Sequence, residues 1–172
     1  MRTLSFVTMG ALLAGCGVAD FDIDQPIIEQ HVQGSPLPGP LAVLFPLPLS
    51  IDLAAKIKEM ETGPIDSVTL SSLSLTITAS DRPSGDTDDW SFVESIHVFV
   101  KSSKDGTTLP RVEIASVMNP GAVTTMDFKV ESGVDINPYV NEGSVVEAES
   151  KGTAPTDDTS YDGKAVFTVH PL

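Results

Sequence analysis

The sequence predicts a mainly β protein: an antiparallel two-sheet β-sandwich of immunoglobulin-like architecture with one short helix. Three observations carry this expectation. Seven or eight short runs alternate apolar and polar residues with period two. Gly, Pro, Asn and Asp punctuate the runs at spacings of roughly 10 to 15 residues. Only one stretch has its apolar residues at helical spacing. The 41% apolar content, rich in Val and Ile, is enough for a packed core and argues against a disordered chain.

The elements follow in order. Phe21 and Ile23 alternate with acids, which starts a first strand. Five prolines, at 36, 38, 40, 46 and 48, favour extended backbone. Within that stretch Phe45, Leu47, Leu49, Ile51 and Leu53 alternate without a break, as in an edge strand whose missing N–H groups point to solvent. Residues 53–61, LAAKIKEME, form the one expected helix, with Leu53, Ile57 and Met60 on one face and Gly63-Pro64 as the stop.

Beyond Pro64 the text is strands and turns. Val68 and Leu70 lie on one parity and Leu73, Leu75 and Ile77 on the other, so a bulge or bend is expected at Ser71-Ser72. Residues 90–100, WSFVESIHVFV, are apolar on both parities and predict a central strand, with Trp90 in the core beside Phe92 and Ile96. Asp105-Gly106 turns the chain into a strand at Val112 and Ile114. Met126, Phe128 and Val130 alternate with charged residues as one half-buried strand. Asn137-Pro138-Tyr139 reads as a short turn before a strand at 145–149, and the run 164–170 closes the sheet. No internal repeat is visible.

The beginning of the chain has a different character. Arg2 precedes an apolar run over residues 4–13, too short to span a bilayer, which takes about 20 residues. Small residues then lead to Cys16, the single cysteine, which excludes a disulfide within the chain. The tetrad Leu13-Ala14-Gly15-Cys16 resembles the lipobox of bacterial lipoproteins. The resemblance covers residues 1–16 alone. It implies cleavage of a signal peptide at residues 1–15, lipid attachment to the Cys16 thiol and acylation of the new amino terminus. Anchoring by several acyl chains is effectively permanent, at about 0.8 kcal/mol per buried methylene. Gly17, rather than aspartate, follows the cysteine, which by bacterial sorting habit implies the outer membrane. The expected organisation is a signal peptide at 1–15, a lipidated tether at 16–24 and a single β-sandwich domain at 25–172.

Charge narrows the partners. The chain carries −14 at pH 7, and removal of the signal peptide takes one positive charge away and none of the acids. Nucleic acid is disfavoured, since phosphate binding needs clustered Lys and Arg. A basic patch on an anionic membrane is disfavoured too, so the bilayer is a partner through acylated Cys16 alone.

Candidate chemistry is sparse. The loop at 81–89, DRPSGDTDD, crowds aspartates, of which Asp86 and Asp88 are calcium candidates. Asp158, Ser160 and Asp162, followed by Gly163, match the opening of a calcium loop, but Val169 stands where the closing acid would be. The preferred readings are a solvated connection for the first loop and a hairpin turn for Asp162-Gly163. No cofactor is expected. His31, His97 and His170 lie on different segments, and no HxH, HExxH, GxSxG, SxxK or phosphate loop occurs. The aromatic candidates for contact with a glycan or protein are Trp90 or Tyr139 and Tyr161, of which Tyr161, in a polar loop, is the better surface candidate.

These features predict a lipid-anchored envelope lipoprotein whose domain is a non-catalytic binding or structural module for an envelope protein or glycan. The alternative is a hydrolase or small-ligand carrier with a site built from loops. Acid spread through loops, at 86–89 and 157–162, points to the loops at one end of the sandwich as the contact surface.

Overall fold

Period-two alternation becomes eight strands in the computed structural model, which describes residues 19–35, 37, 39, 53–61, 63–79 and 88–172. The strands are β1 (Phe21–Val32), β2 (Ile65–Ile77), β3 (Val93–Ser102), β4 (Val112–Met118), β5 (Thr125–Asp127), β6 (Lys129–Val130), β7 (Ser144–Gly152) and β8 (Thr159–Pro171). Two four-stranded sheets result, with orders β1-β8-β2-β5 and β6-β4-β3-β7, and every pairing is antiparallel. The architecture is the expected antiparallel sandwich. Its connectivity differs from the immunoglobulin order of ABED on one sheet and CFG on the other. Here the C-terminal strand lies inside its sheet, between the first two strands, and β3–β4 is the one consecutive pair that forms a hairpin among the described residues.

The core fills the space between the sheets. Val68, Leu73 and Leu75 of β2 with Ala165, Phe167 and Val169 of β8 face Ile96, Val98 and Val100 of β3 and Ile114 of β4. Full burial of each large apolar side chain contributes about 1.5–3 kcal/mol, and this alternation is what holds each strand in register. The parity slip expected at Ser71-Ser72 is a register shift between Leu70 and Ser72 in the β2–β8 pairing. It lets Leu70 and Leu73, three residues apart, both point inward.

Several sequence expectations change. β1 begins at Phe21, so residues 21–24, counted with the tether, are paired with β8 from Phe21↔Val169 to Asp24↔Val166. The helix, α1 (Leu53–Glu59), buries Leu53, but Met60 falls beyond its end and is exposed. Trp90 to Phe92 is a 3-10 turn rather than the start of a strand, because the Asp89 carboxylate accepts the Ser91 N–H at 2.9 Å and caps it. Asn137-Pro138-Tyr139 opens a second helix, α2 (Asn137–Glu142): a proline in the first helical turn costs no backbone bond. The run from Met126 to Val130 is two strands in opposite sheets. Phe128, buried between them, donates its N–H to the Leu73 carbonyl at 2.9 Å while the chain crosses over.

Asp162-Gly163 is not a turn. Gly163 sits in mid-strand, paired with Ile27 on one side and Leu75 on the other. A Cβ at this position would lie 2.7 Å from the Ser74 carbonyl oxygen and closer still to the Leu75 side chain. Glycine is needed there for close approach of backbone, not for conformational freedom. The final strand therefore does not close the sheet at an edge. Cys16, Asp86 and the proline-rich edge strand expected at 45–52 lie outside the described residues.

Candidate functional site

The register defines two ends. Phe21, Ile65 and Pro171 meet at the end where the chain enters from Cys16, and Val32, Ile77 and Thr159 meet at the other. Of the acidic segments singled out in the sequence, the described residues Asp88, Asp89, Asp157 and Asp158 lie at this second, far end. Asp88, Asp89 and Trp90 occupy its middle. On one side, the Trp90 N–H donates to the Val123 carbonyl at 3.0 Å, and the indole Nε1–H donates to Thr124 at 3.1 Å. On the other, the Thr153 N–H donates to the Phe92 carbonyl at 2.9 Å, which brings in the loop that carries Asp157 and Asp158. The Gly34 N–H in turn donates to the Asp158 carboxylate at 2.8 Å, and the Ser35 N–H to the Pro155 carbonyl at 2.8 Å.

Trp90 fixes this cluster. Its ring is buried, edge-on to Tyr161 at 5.5 Å between centroids and tilted against Phe92 at 5.7 Å. Trp90 is thus core, as expected, though it reaches the core from the 3-10 turn and not by strand parity. Tyr161 is core as well, which overturns its reading as the surface aromatic: it sits on the inward parity of β8, and burial pushes its hydroxyl pKa up. Tyr139 is likewise buried, its hydroxyl donating to the Pro110 carbonyl at 2.7 Å, and burial raises its pKa. Neither tyrosine offers a contact surface.

Two exposed apolar side chains of the far end come from a place with no acidic signal in the sequence. Met118 and Val123, 61% and 40% exposed, flank the Asn119-Pro120-Gly121 turn. The Asn119 N–H donates to the Glu94 carbonyl at 2.7 Å, and Asn119 adopts φ 45°, so the turn is held against the Trp90 segment. Large apolar residues directly beside a turn signal were the clue available in the sequence.

The remaining candidates take other positions. Asp158, just before β8, and Ser160 and Asp162 on it line, with Glu29, His31 and Thr78, an open depression of about 580 Å³. Two of these carboxylates serve the backbone. Asp162 Oδ1 accepts the Glu29 N–H at 2.8 Å, where β1 bulges and Glu29 takes φ 53°. The bulge removes a ladder partner, and the carboxylate supplies one. Ser160 offers its carbonyl to the Thr78 N–H at 2.9 Å. Among the described residues no three His, Cys, Asp or Glu side chains converge on a metal-sized point.

The histidines stay apart. His97 Nδ1 pairs with Glu113 at 3.1 Å on the outer face of the second sheet, and His170 Nδ1 pairs with Asp20 at 2.9 Å. His97 also stacks on Phe99, whose other neighbour is the Arg111 guanidinium, 3.4 Å from the ring centroid. Arg111 continues to Glu147 at 3.3 Å and Glu149 at 2.7 Å, and Lys101 joins Glu147. Hydrogen bonding from Lys101 holds the Glu147 carboxyl below its ordinary pKa. The charges of Lys101, Arg111, Glu113, Glu147 and Glu149 meet neighbours across the strands, so the face reads as cross-strand pairing on a solvated sheet.

No family model matches the chain, and no curated protein is similar to it. Solved structures similar to it include one of Desmodium yellow mottle tymovirus, 16% identical with a TM-score of 0.26, covering 100% of this chain and 94% of that one. Another, of turnip yellow mosaic virus, is 12% identical with a TM-score of 0.27, covering 100% and 92%. At these scores the likeness carries no argument about function.

Proposed function

We propose that this protein is an envelope lipoprotein, anchored through acylated Cys16, whose sandwich is a non-catalytic module that binds an envelope protein or glycan through its far end. One observation carries the reading: the loops bearing Asp88, Asp89, Asp157 and Asp158, with exposed Met118 and Val123, gather at the end opposite the one where the chain arrives from Cys16. Loops on a rigid β scaffold are where recognition is commonly placed, and an apolar patch rimmed by polar residues suits a macromolecular contact. Among the described residues no helix is long and apolar enough to cross a membrane, so attachment in this reading rests on the lipid.

Two experiments test the two halves of the proposal. Cys16→Ser should move the protein from the membrane fraction to the soluble fraction; a variant that remains in the membrane unchanged sinks the anchor. For the module, Met118→Asp with Val123→Asp should abolish capture of the envelope protein or glycan that the parent domain retains on a column. Turnover of a substrate in a parallel hydrolase screen, abolished by changing a single acid or histidine, would replace the binding module with the catalytic alternative.

A further inference from the structure

We infer that the α1–α2 end of the sandwich rests against the headgroup layer of the bilayer, with Met60 and the cleft beside it as the lipid-contacting surface. The inference builds on anchoring through Cys16 and adds an orientation to it. Four residue steps separate Cys16 from Asp20, a reach of at most about 14 Å when fully extended. Asp20 is itself tied to the fold by its contact with His170 at 2.9 Å, and the next residue, Phe21, is already paired with Val169. The far end is a strand length away. β8 spans 13 residues, about 40 Å at a rise of roughly 3.4 Å per residue. A tether this short keeps the near end at the membrane and lifts the far end off it.

What surrounds the point where the chain enters fits that position. The Leu172 N–H donates to the Pro64 carbonyl at 3.0 Å, and Ile65 pairs with Pro171, so the segment after α1 lies beside the end of β8. Met60, on this segment, is 52% exposed. Between α1 and α2 an open cleft of about 440 Å³ is lined by apolar Ile57, Pro64, Ile65 and Val140, with the opposite charges of Lys58 and Glu61 and two asparagines beside them. Acids outnumber bases through the chain, so no attraction to anionic lipid assists the contact, and the orientation is a property of tether length and apolar surface.

The test uses the acylated full-length protein in phosphatidylcholine vesicles that contain a nitroxide-labelled lipid as quencher. Because the Cys16 sulfur carries lipid, a new cysteine takes a fluorophore selectively. Met60→Cys labels the near end and Thr156→Cys the far end, both at exposed positions, with Glu59→Cys and Ala122→Cys as second sites should either variant fold poorly. The label at 60 should be quenched several-fold more than the label at 156, at low and high salt alike. Equal quenching, or stronger quenching at 156, in protein that floats with the vesicles overturns the orientation alone. Protein that fails to float overturns the anchor, and the orientation with it.

Discussion

The two ends of the sandwich are fastened in different ways. The far end is built around one large aromatic: Trp90 is buried against Tyr161 and Phe92, its backbone and indole N–H groups hold the neighbouring loop at Val123 and Thr124, and hydrogen bonds to Glu94, Phe92, Pro155 and Asp158 tie the outer loops around it. The near end is fastened by several small polar groups. Asp135 Oδ1 accepts the Val68 N–H at 3.0 Å and the Asn137 N–H at 2.9 Å, joining β2 to the start of α2. At the other end of α2, Glu142 accepts from Ser102 at 2.8 Å and Thr107 at 2.7 Å, and Lys104 reaches it at 3.3 Å, joining α2 to the β3–β4 loop. At the far end the loops gather around one buried ring and leave Met118 and Val123 exposed. At the near end two carboxylates, Asp135 and Glu142, fix the two ends of α2 to the neighbouring chain.

Four substitutions sharpen or break this contrast, each read as a change in the urea midpoint at constant slope. Trp90→Ala should have the largest effect, about 3–5 kcal/mol, since it empties a buried indole site and removes the bond to Thr124. A loss below about 1 kcal/mol would show that the far end does not depend on Trp90. Gly163→Ala, between the two ends, should cost about 1–3 kcal/mol through the clash of its methyl group with the Ser74 carbonyl and Leu75. A neutral result there would overturn the close packing of β8 on β2.

Asp135→Ala should cost about 1–2 kcal/mol, since two backbone N–H groups lose their acceptor. If the loss matched that of Trp90→Ala, the near end would also hang on one residue, and the contrast would fail. Glu142→Gln should have the smallest effect, and one that depends on pH. Hydrogen bonds from Thr107 and then Ser102 hold the Glu142 carboxyl below its ordinary value of 4.5. A lowered folded-state pKa stabilises above the unfolded value, and that contribution is lost as pH falls through the folded one. The difference between parent and variant should therefore be fully present at pH 7 and shrink as pH drops below 4.5. A difference that grows toward acid would mean the carboxylate is strained in place rather than stabilised.

Alternation at period two is a property of consecutive residues, so the sequence by itself determined most strands, the Leu70–Ser72 bulge and the sandwich architecture. It also placed the helix at Leu53 and its stop before Ile65. Local signals failed where two readings share the same residues. Asp-Gly is both a strong hairpin signal and a tolerable strand pair, and what decided for strand was pairing with Ile27 and Leu75, each more than 80 positions away in the chain. Tyr161 lies in polar text, yet it is core because β8 is inserted between β1 and β2 with that parity turned inward. The helix at α2 was hidden for a related reason: six residues carry too little periodicity to announce a helix, and Asp135 at its start with Ser102 and Thr107 at its end supply from outside what the segment lacks. The gathering of Asp88, Asp89, Asp157 and Asp158 at one end was set in the same way. It follows from which strands pair, and long-range pairing is chosen by the burial of all the strands together, a sum that no window along the chain contains.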